Sequence, residues 1–167
     1  MELTTEEVVL GMLNTFYPDY EFVQEYEDEV HPLSVFGSVY EISSNSVGEM
    51  TKALRQVDGK QIYSIPMEYN IAIAIQGEKG SIAKVLVEEI RARMKEYEVR
   101  KWFRDHGFSI RVDGMPTTPT PVKLDTKYLM KYTFSIFLRT NETWTTDSVP
   151  IEKAIVTGLN SSQEVGE

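Results

Sequence analysis

Tyr128 to Leu138 read YLMKYTFSIFL, where Tyr128, Met130, Tyr132, Phe134, Ile136 and Leu138 alternate with Leu129, Lys131, Thr133, Ser135 and Phe137. A period of two places every second side chain on the same face of a sheet, so this stretch predicts a strand, and it is the strongest β signal in the chain. Ile62 to Gln76, IYSIPMEYNIAIAIQ, behaves alike: Met67, Tyr69, Ile71, Ile73 and Ile75 alternate with Glu68, Asn70, Ala72, Ala74 and Gln76. One apolar and one polar face make it a half-buried strand of antiparallel type. Pro66 lacks a ladder donor, so it is expected at the start of this strand or on an edge.

The apolar face of such a sheet needs cover, and two stretches supply it. After the turn Gly77 to Gly80, Ser81 opens a helix with Ile82, Val85, Leu86, Ile90, Met94 and Tyr97 at helical spacing and Lys84, Glu88, Arg91, Arg93 and Lys95 mostly opposite. Near the start, Thr4 stands three residues before Glu7, a capping-box pattern ahead of Val8, Val9, Met12, Leu13 and Phe16. That helix spans 4–16 and stops before Pro18. A shorter helical stretch, Arg100 to Asp105, ends at His106-Gly107, where glycine suits the residue after the helix.

The remaining strands are weaker. Residues 33–43, LSVFGSVYEIS, predict a strand with Phe36, Tyr40 and Ile42 on one face and a bulge or close backbone approach at Gly37. Phe108, Ile110 and Val112 predict another, and Pro150 to Thr157 a last one. Residues 113–126, DGMPTTPTPVKLDT, are expected to form an extended polyproline-like loop with no regular element. Trp144, in the polar run Thr140 to Asp147, is expected on a hairpin tip. Together these predict an α+β fold: an antiparallel or mixed sheet with amphipathic helices packed on one face. The expected organisation is a single domain over 1–157, with an acidic segment at 17–32, a proline-rich loop at 114–126 and a mobile tail at 158–167.

Composition narrows the function. The chain of 167 residues has no cysteine, which removes disulfides and thiolate chemistry. Its start carries acids where a secretory signal carries bases, and no apolar run is long enough to span a bilayer, so it is expected in the cytoplasm of the cell that makes it. The net charge of −9 comes entirely from the first third, because residues 1–51 hold eleven acids and no Lys or Arg. Asp19, Glu21, Glu25, Glu27, Asp28 and Glu29 crowd into eleven of those positions. Such a surface repels phosphate and argues against ordinary nucleic-acid recognition. It reads either as a solvated face or as a surface for a basic partner.

Chemistry-bearing motifs are missing. His31 precedes Pro32 and His106 ends a helix, with no histidine partner near either in sequence, so no metal site is expected. Gly77-Glu78-Lys79-Gly80-Ser81 precedes a helix but lacks the spacing of a phosphate-binding loop. Trp102 or Phe103 is expected to complete the core beneath the helix end. Trp144 is a candidate subunit anchor, and Pro116, Pro119 and Pro121 are candidate contacts of an ordered arm lying on a neighbouring subunit.

In order of features, residues 63–157 resemble the neck and tail terminator (tail-completion) proteins of tailed bacteriophages. The features are a strand ending in a glycine turn (YSIPMEYNIAIAIQGEKG), an amphipathic helix (SIAKVLVEEIRARM) and a helix ending in glycine before a strand (VRKWFRDHGFSIRV). A loop, a long alternating strand (KYLMKYTFSIFLRT) and a closing strand (VPIEKAIVTG) follow. The resemblance implies a homo-oligomeric ring, a hexamer, that caps the tail tube and joins it to the head connector of the virion. It implies no catalytic residue, cofactor or metal, and DNA that passes without specific binding. Acids of the Asp19–Glu29 group, or Glu142 and Asp147, are then expected to face the channel. Two other readings of the residues are a non-enzymatic adaptor gripping a basic partner with its acidic segment, and a hydrolase using acids and a divalent cation.

Overall fold

The structure, a computed structural model, describes residues 3–24, 35–48, 51–57, 60–78, 82–124 and 127–147. The predicted last strand and tail lie outside these residues, as do Glu25, Glu27, Asp28, Glu29, His31 and Ser81. The elements are α1 (Thr5–Phe16), β1 (Glu21–Gln24), β2 (Phe36–Ser46), β3 (Thr51–Val57), β4 (Lys60–Glu78), α2 (Ala83–Arg93), α3 (Tyr97–Asp105), β5 (Ser109–Val112), β6 (Thr118–Leu124) and β7 (Lys127–Asp147). The seven strands form one mixed sheet, ordered β1-β2-β4-β7-β5, with β3 also pairing β4 and β6 also pairing β7. Only β1 against β2 is parallel. The α+β fold predicted from the sequence is the fold observed.

The two long alternating strands are its axis. β4 and β7 pair antiparallel without a register shift from Lys60↔Asp147 to Glu78↔Leu129. Ile71, Ile73 and Ile75 of β4 lie beside Ile136, Phe134 and Tyr132 of β7, and Val39 of β2 lies opposite Ile73. This face is covered by Val8, Val9, Met12 and Leu13 of α1, Leu86, Val87 and Ile90 of α2, and Val99 and Phe103 of α3. Burying each such side chain contributes roughly 1.5–3 kcal/mol, so this layer is the main source of stability.

Each helix shows its local logic. Thr4 and Glu7 form the expected reciprocal cap of α1, with the Glu7 amide donating to Thr4 Oγ1 at 3.2 Å and the Thr4 amide to Glu7 Oε2 at 2.7 Å. The buried stripe of α2 runs through Ala83, Leu86, Val87, Ile90 and Met94. Sequence spacing had put Val85 in it, but Val85 is 68 % exposed, and Ile82 and Tyr97 are exposed too. Val87 takes that place, one turn after the fully buried Ala83 on the side of the helix that meets the sheet. Phe103 is fully buried and Trp102 half-buried beside it, its Nε1 donating to the Val8 carbonyl at 3.2 Å. Gly107 takes φ +85 after α3, a conformation that disfavours any side chain.

Strand β2 departs from its predicted faces. Gly37, Val39 and Glu41 share the helix-covered face with Ile75, Ile73 and Ile71, while Phe36 is buried on the opposite face. Ile42 falls in a register shift between Glu41 and Ser43 and is 52 % exposed, so the bulge lies there and not at Gly37. At Gly37 the finding is the close approach: a Cβ there would stand 2.4 Å from Phe22 Cδ1. The Phe22 ring lies on the bare Gly37 backbone and anchors β1, a strand inside the acidic segment 17–32.

Candidate assembly interface

The helices cover only part of the β4–β7 pair. β2 flanks β4 from Met67 to Gln76, and beyond it the flank passes to β3, opposite Lys60 to Ser64. β3, the first part of β4 and the last part of β7 thus make a three-stranded ribbon leading away from the helix-covered layer. Thr140 to Asp147, expected as a hairpin tip, is the far part of β7, because Lys60 to Met67 continue β4 alongside it. Four threonines and a tryptophan among its eight residues suit an extended strand. Trp144 pairs with Tyr63, the rings stacked at 5.9 Å and 16°, and Trp144 remains 40 % exposed.

Pro66 lies inside β4, not at its start. The Val47 amide donates to the Pro66 carbonyl at 2.8 Å. In a strand a residue's N–H and C=O point to the same side, so the donor that Pro66 lacks would point at the junction between β2 and β3, away from β7.

The same alternation explains the proline-rich segment. The Asp113 amide donates to the Ser135 carbonyl at 3.0 Å, so the backbone groups of Ser135 face away from β4. Odd-numbered residues of β7 therefore face outward and even-numbered ones face β4. Pro119 pairs with Tyr132 and Pro121 with Met130, both even, so these are non-hydrogen-bonded pairs in which the missing proline donors point to solvent. The expected irregular loop is thus a regular edge strand over Thr118–Leu124. Proline is tolerated there because its spacing of two puts each ring at a position that donates nothing to β7. Pro116 is exposed in the connection before β6.

Charges gather where ribbon and layer meet. On the face without helices, Arg139 Nε binds Glu68 Oε2 at 2.5 Å and Arg111 Nη2 approaches it at 3.7 Å, with the Arg111 guanidinium 4.0 Å from the Phe137 ring centre. On the other face Tyr69 donates its hydroxyl to Glu142, beside a groove of about 770 Å³ lined also by Glu6, Glu41 and His106. Burial, and then this carboxylate, push the Tyr69 phenol up to about 12. His106 Nδ1 lies 2.8 Å from the Trp102 carbonyl and its ring packs on Trp102. Among the described residues no cluster of metal-ligating side chains occurs.

A family model described as phage neck terminator protein matches residues 5–164. The chain belongs to this family. No curated protein matches it. As a phage neck terminator it is a structural protein of the virion, and its functional surface is one of assembly. None of its described helices is long and apolar enough to cross a membrane.

The described residues among those singled out in the sequence do not form one patch in this neck terminator. Asp19 and Glu21 lie at the β1 edge, where Glu21 faces Phe36 and Phe36 faces Gln76 of β4. Glu142 faces Ile65, eleven positions along β4 from Gln76, roughly 36 Å at 3.3 Å per residue. Glu142 and Trp144 sit on the ribbon, Asp147 pairs in register with Lys60 at its end, and Pro119 and Pro121 sit on β6. Sequence reasoning missed β3 altogether. Asp58-Gly59, between Val57 and Lys60, was the available signal, since that dipeptide favours two-residue hairpins.

Proposed function

We propose that this neck terminator closes into a homo-oligomeric ring, six subunits as its likeness to tail terminators implies, that ends the tail tube and joins it to the head connector. The observation that carries the reading is the three-stranded ribbon with its exposed Tyr63–Trp144 stack, reaching past the helices. A stacked aromatic pair left partly open on a rigid strand supplies an anchor at low entropic cost, as tryptophan does in protein interfaces. Glu142 and Asp147 on the ribbon, or Asp19 and Glu21 at the β1 edge, face the channel and keep DNA from sticking. Their fields act over about 8 Å at physiological salt, and the separation of the two groups lets only one of them line the narrowest level.

Electron microscopy of the chain with tail tube and connector proteins tests this. The expected result is a ring of uniform subunit number between the two, with Trp144→Ala weakening ring closure while the subunit stays folded. A chain that remains monomeric in the presence of both partners refutes it.

A further inference from the structure

The outer flank of β7 is treated in three ways along its length. β6 covers Lys127–Thr133 and presents Pro119 and Pro121 outward, which blocks any further strand. β5 covers Ile136–Arg139. From Thr140 to Asp147 no described strand pairs with it on that side. This stretch, TNETWTTD, has no proline, no lysine and no register shift against β4, and its charges are the two acids Glu142 and Asp147. By the alternation established above, Asn141, Thr143 and Thr145 point their N–H and C=O groups outward from it.

The ribbon has a second edge. β3 pairs only with β4 among the described strands, through Thr51↔Ser64 and, after a register shift between Thr51 and Arg55, through Arg55↔Ile62, Gln56↔Gln61 and Val57↔Lys60, so its regular edge is the short stretch Arg55–Val57. Because the Pro66 carbonyl faces the β3 side, so do the backbone groups of Lys60 and Ile62, and those of Gln56 point outward. The two edges carry opposite charge: Thr51–Val57 has Lys52 and Arg55 and no acid, whereas residues 141–147 have Glu142 and Asp147 and no base.

We propose that the free edge of β7, at Asn141, Thr143 and Thr145, pairs with the free edge of β3, around Gln56, in the next copy of this chain. The occupant of one edge is the opposite edge of the same ribbon, so the contact is head-to-tail and repeats until the ring closes. β3 and β7 are each antiparallel to β4, and rotation about a ring axis preserves strand direction, so the junction is parallel. Closure removes every exposed edge of the ribbon, and six copies give a barrel of eighteen strands. At 4.8 Å spacing and a tilt near 40° its backbone is roughly 36 Å across, an open channel. This inference rests on the ring reading above and specifies which surfaces close it.

The natural absence of cysteine makes the test direct. Full-length chains carrying Arg55→Cys or Gln56→Cys together with Thr143→Cys or Thr145→Cys are oxidised at high concentration and run on a non-reducing gel, with sedimentation in parallel. The expected result is a ladder of linked chains from a double variant and none from the single variants. Thr143→Pro is expected to weaken ring formation about tenfold or more while the monomer keeps its melting temperature, because the lost donor faces away from β4. Rings without a ladder from any double variant overturn the pairing and leave the ring reading standing. Neither rings nor ladder, with tail tube and connector proteins also present, overturns both. A dimer from Thr145→Cys alone shows that two β7 edges pair with each other. If Thr143→Pro lowers the monomer's melting temperature and no ladder forms, the edge is already paired within the monomer. Either of these last two results overturns the proposal.

Discussion

Gly37→Ala is a single methyl on the helix-covered face of β2, and it is expected to destabilise the fold strongly. In an unconstrained strand the change would stabilise by about 0.4–1 kcal/mol, by restricting the unfolded chain. Here the new Cβ stands 2.4 and 2.8 Å from two ring carbons of Phe22 and 3.1 Å from Ile75 Cδ1. Phe22 is buried and Ile75 fully so, which leaves the ring no free volume to enter. Its displacement pulls β1 from β2, where Phe22 itself faces Gly37 in the parallel register. Overpacking of this kind costs about 1–3 kcal/mol. In a chain of this size that lowers the melting temperature by roughly 2–12 °C.

Urea denaturation of the wild type, Gly37→Ala, Phe22→Ala and the double variant isolates the cause. Phe22→Ala alone is expected to cost about 3–5 kcal/mol. In its background the glycine substitution becomes neutral or slightly stabilising, so the cycle shows a coupling of about 1–3 kcal/mol. Gly37→Ala as stable as the wild type, or penalties that simply add, would refute the account of how β1 is held.

Thr4→Ala removes the side chain that accepts from the Glu7 amide and is expected to cost about 1 kcal/mol, read as a lower urea midpoint with unchanged slope. Tyr69 is expected to titrate near 12 in a tyrosinate absorbance titration, identified by difference from Tyr69→Phe. Since its folded value lies above the ordinary 10, the stability it contributes is complete below pH 10 and is lost as pH rises from 10 through 12. Glu142→Gln is expected to bring that value down without restoring 10, because burial is the larger cause. Replacing Pro119 and Pro121 with valine returns two outward donors to β6 and is expected to raise concentration-dependent association in light scattering, with the fold intact. Unchanged scattering would mean that the prolines do not guard this edge.

The sequence by itself determined the parts whose cause is local. Alternation over Ile62–Gln76 and Tyr128–Leu138 required strands, the Thr4–Glu7 spacing required a capped helix, and together they required an α+β layer with helices on one face. His31, His106 and Gly77–Ser81 match no catalytic, metal or phosphate-binding spacing, which also is a local property of the sequence. What only the tertiary structure decided was partnership. Thr51–Val57 and Thr118–Leu124 carry weak or contrary local signals and become strands because β4 or β7 lies beside them, and Thr140–Asp147, whose composition suits a strand, is shown to be one rather than a hairpin tip by β4 running alongside it. Whether a proline breaks a strand or guards its edge depends on which way its nitrogen points, and that is set by the register of a neighbour far along the chain. For the same reason no local pattern sets Asn141, Thr143 and Thr145 apart from Tyr132 or Phe134: which residues turn their backbone groups away from β4 is set by the register of the folded sheet, and among the described strands none pairs with that side of Thr140–Asp147.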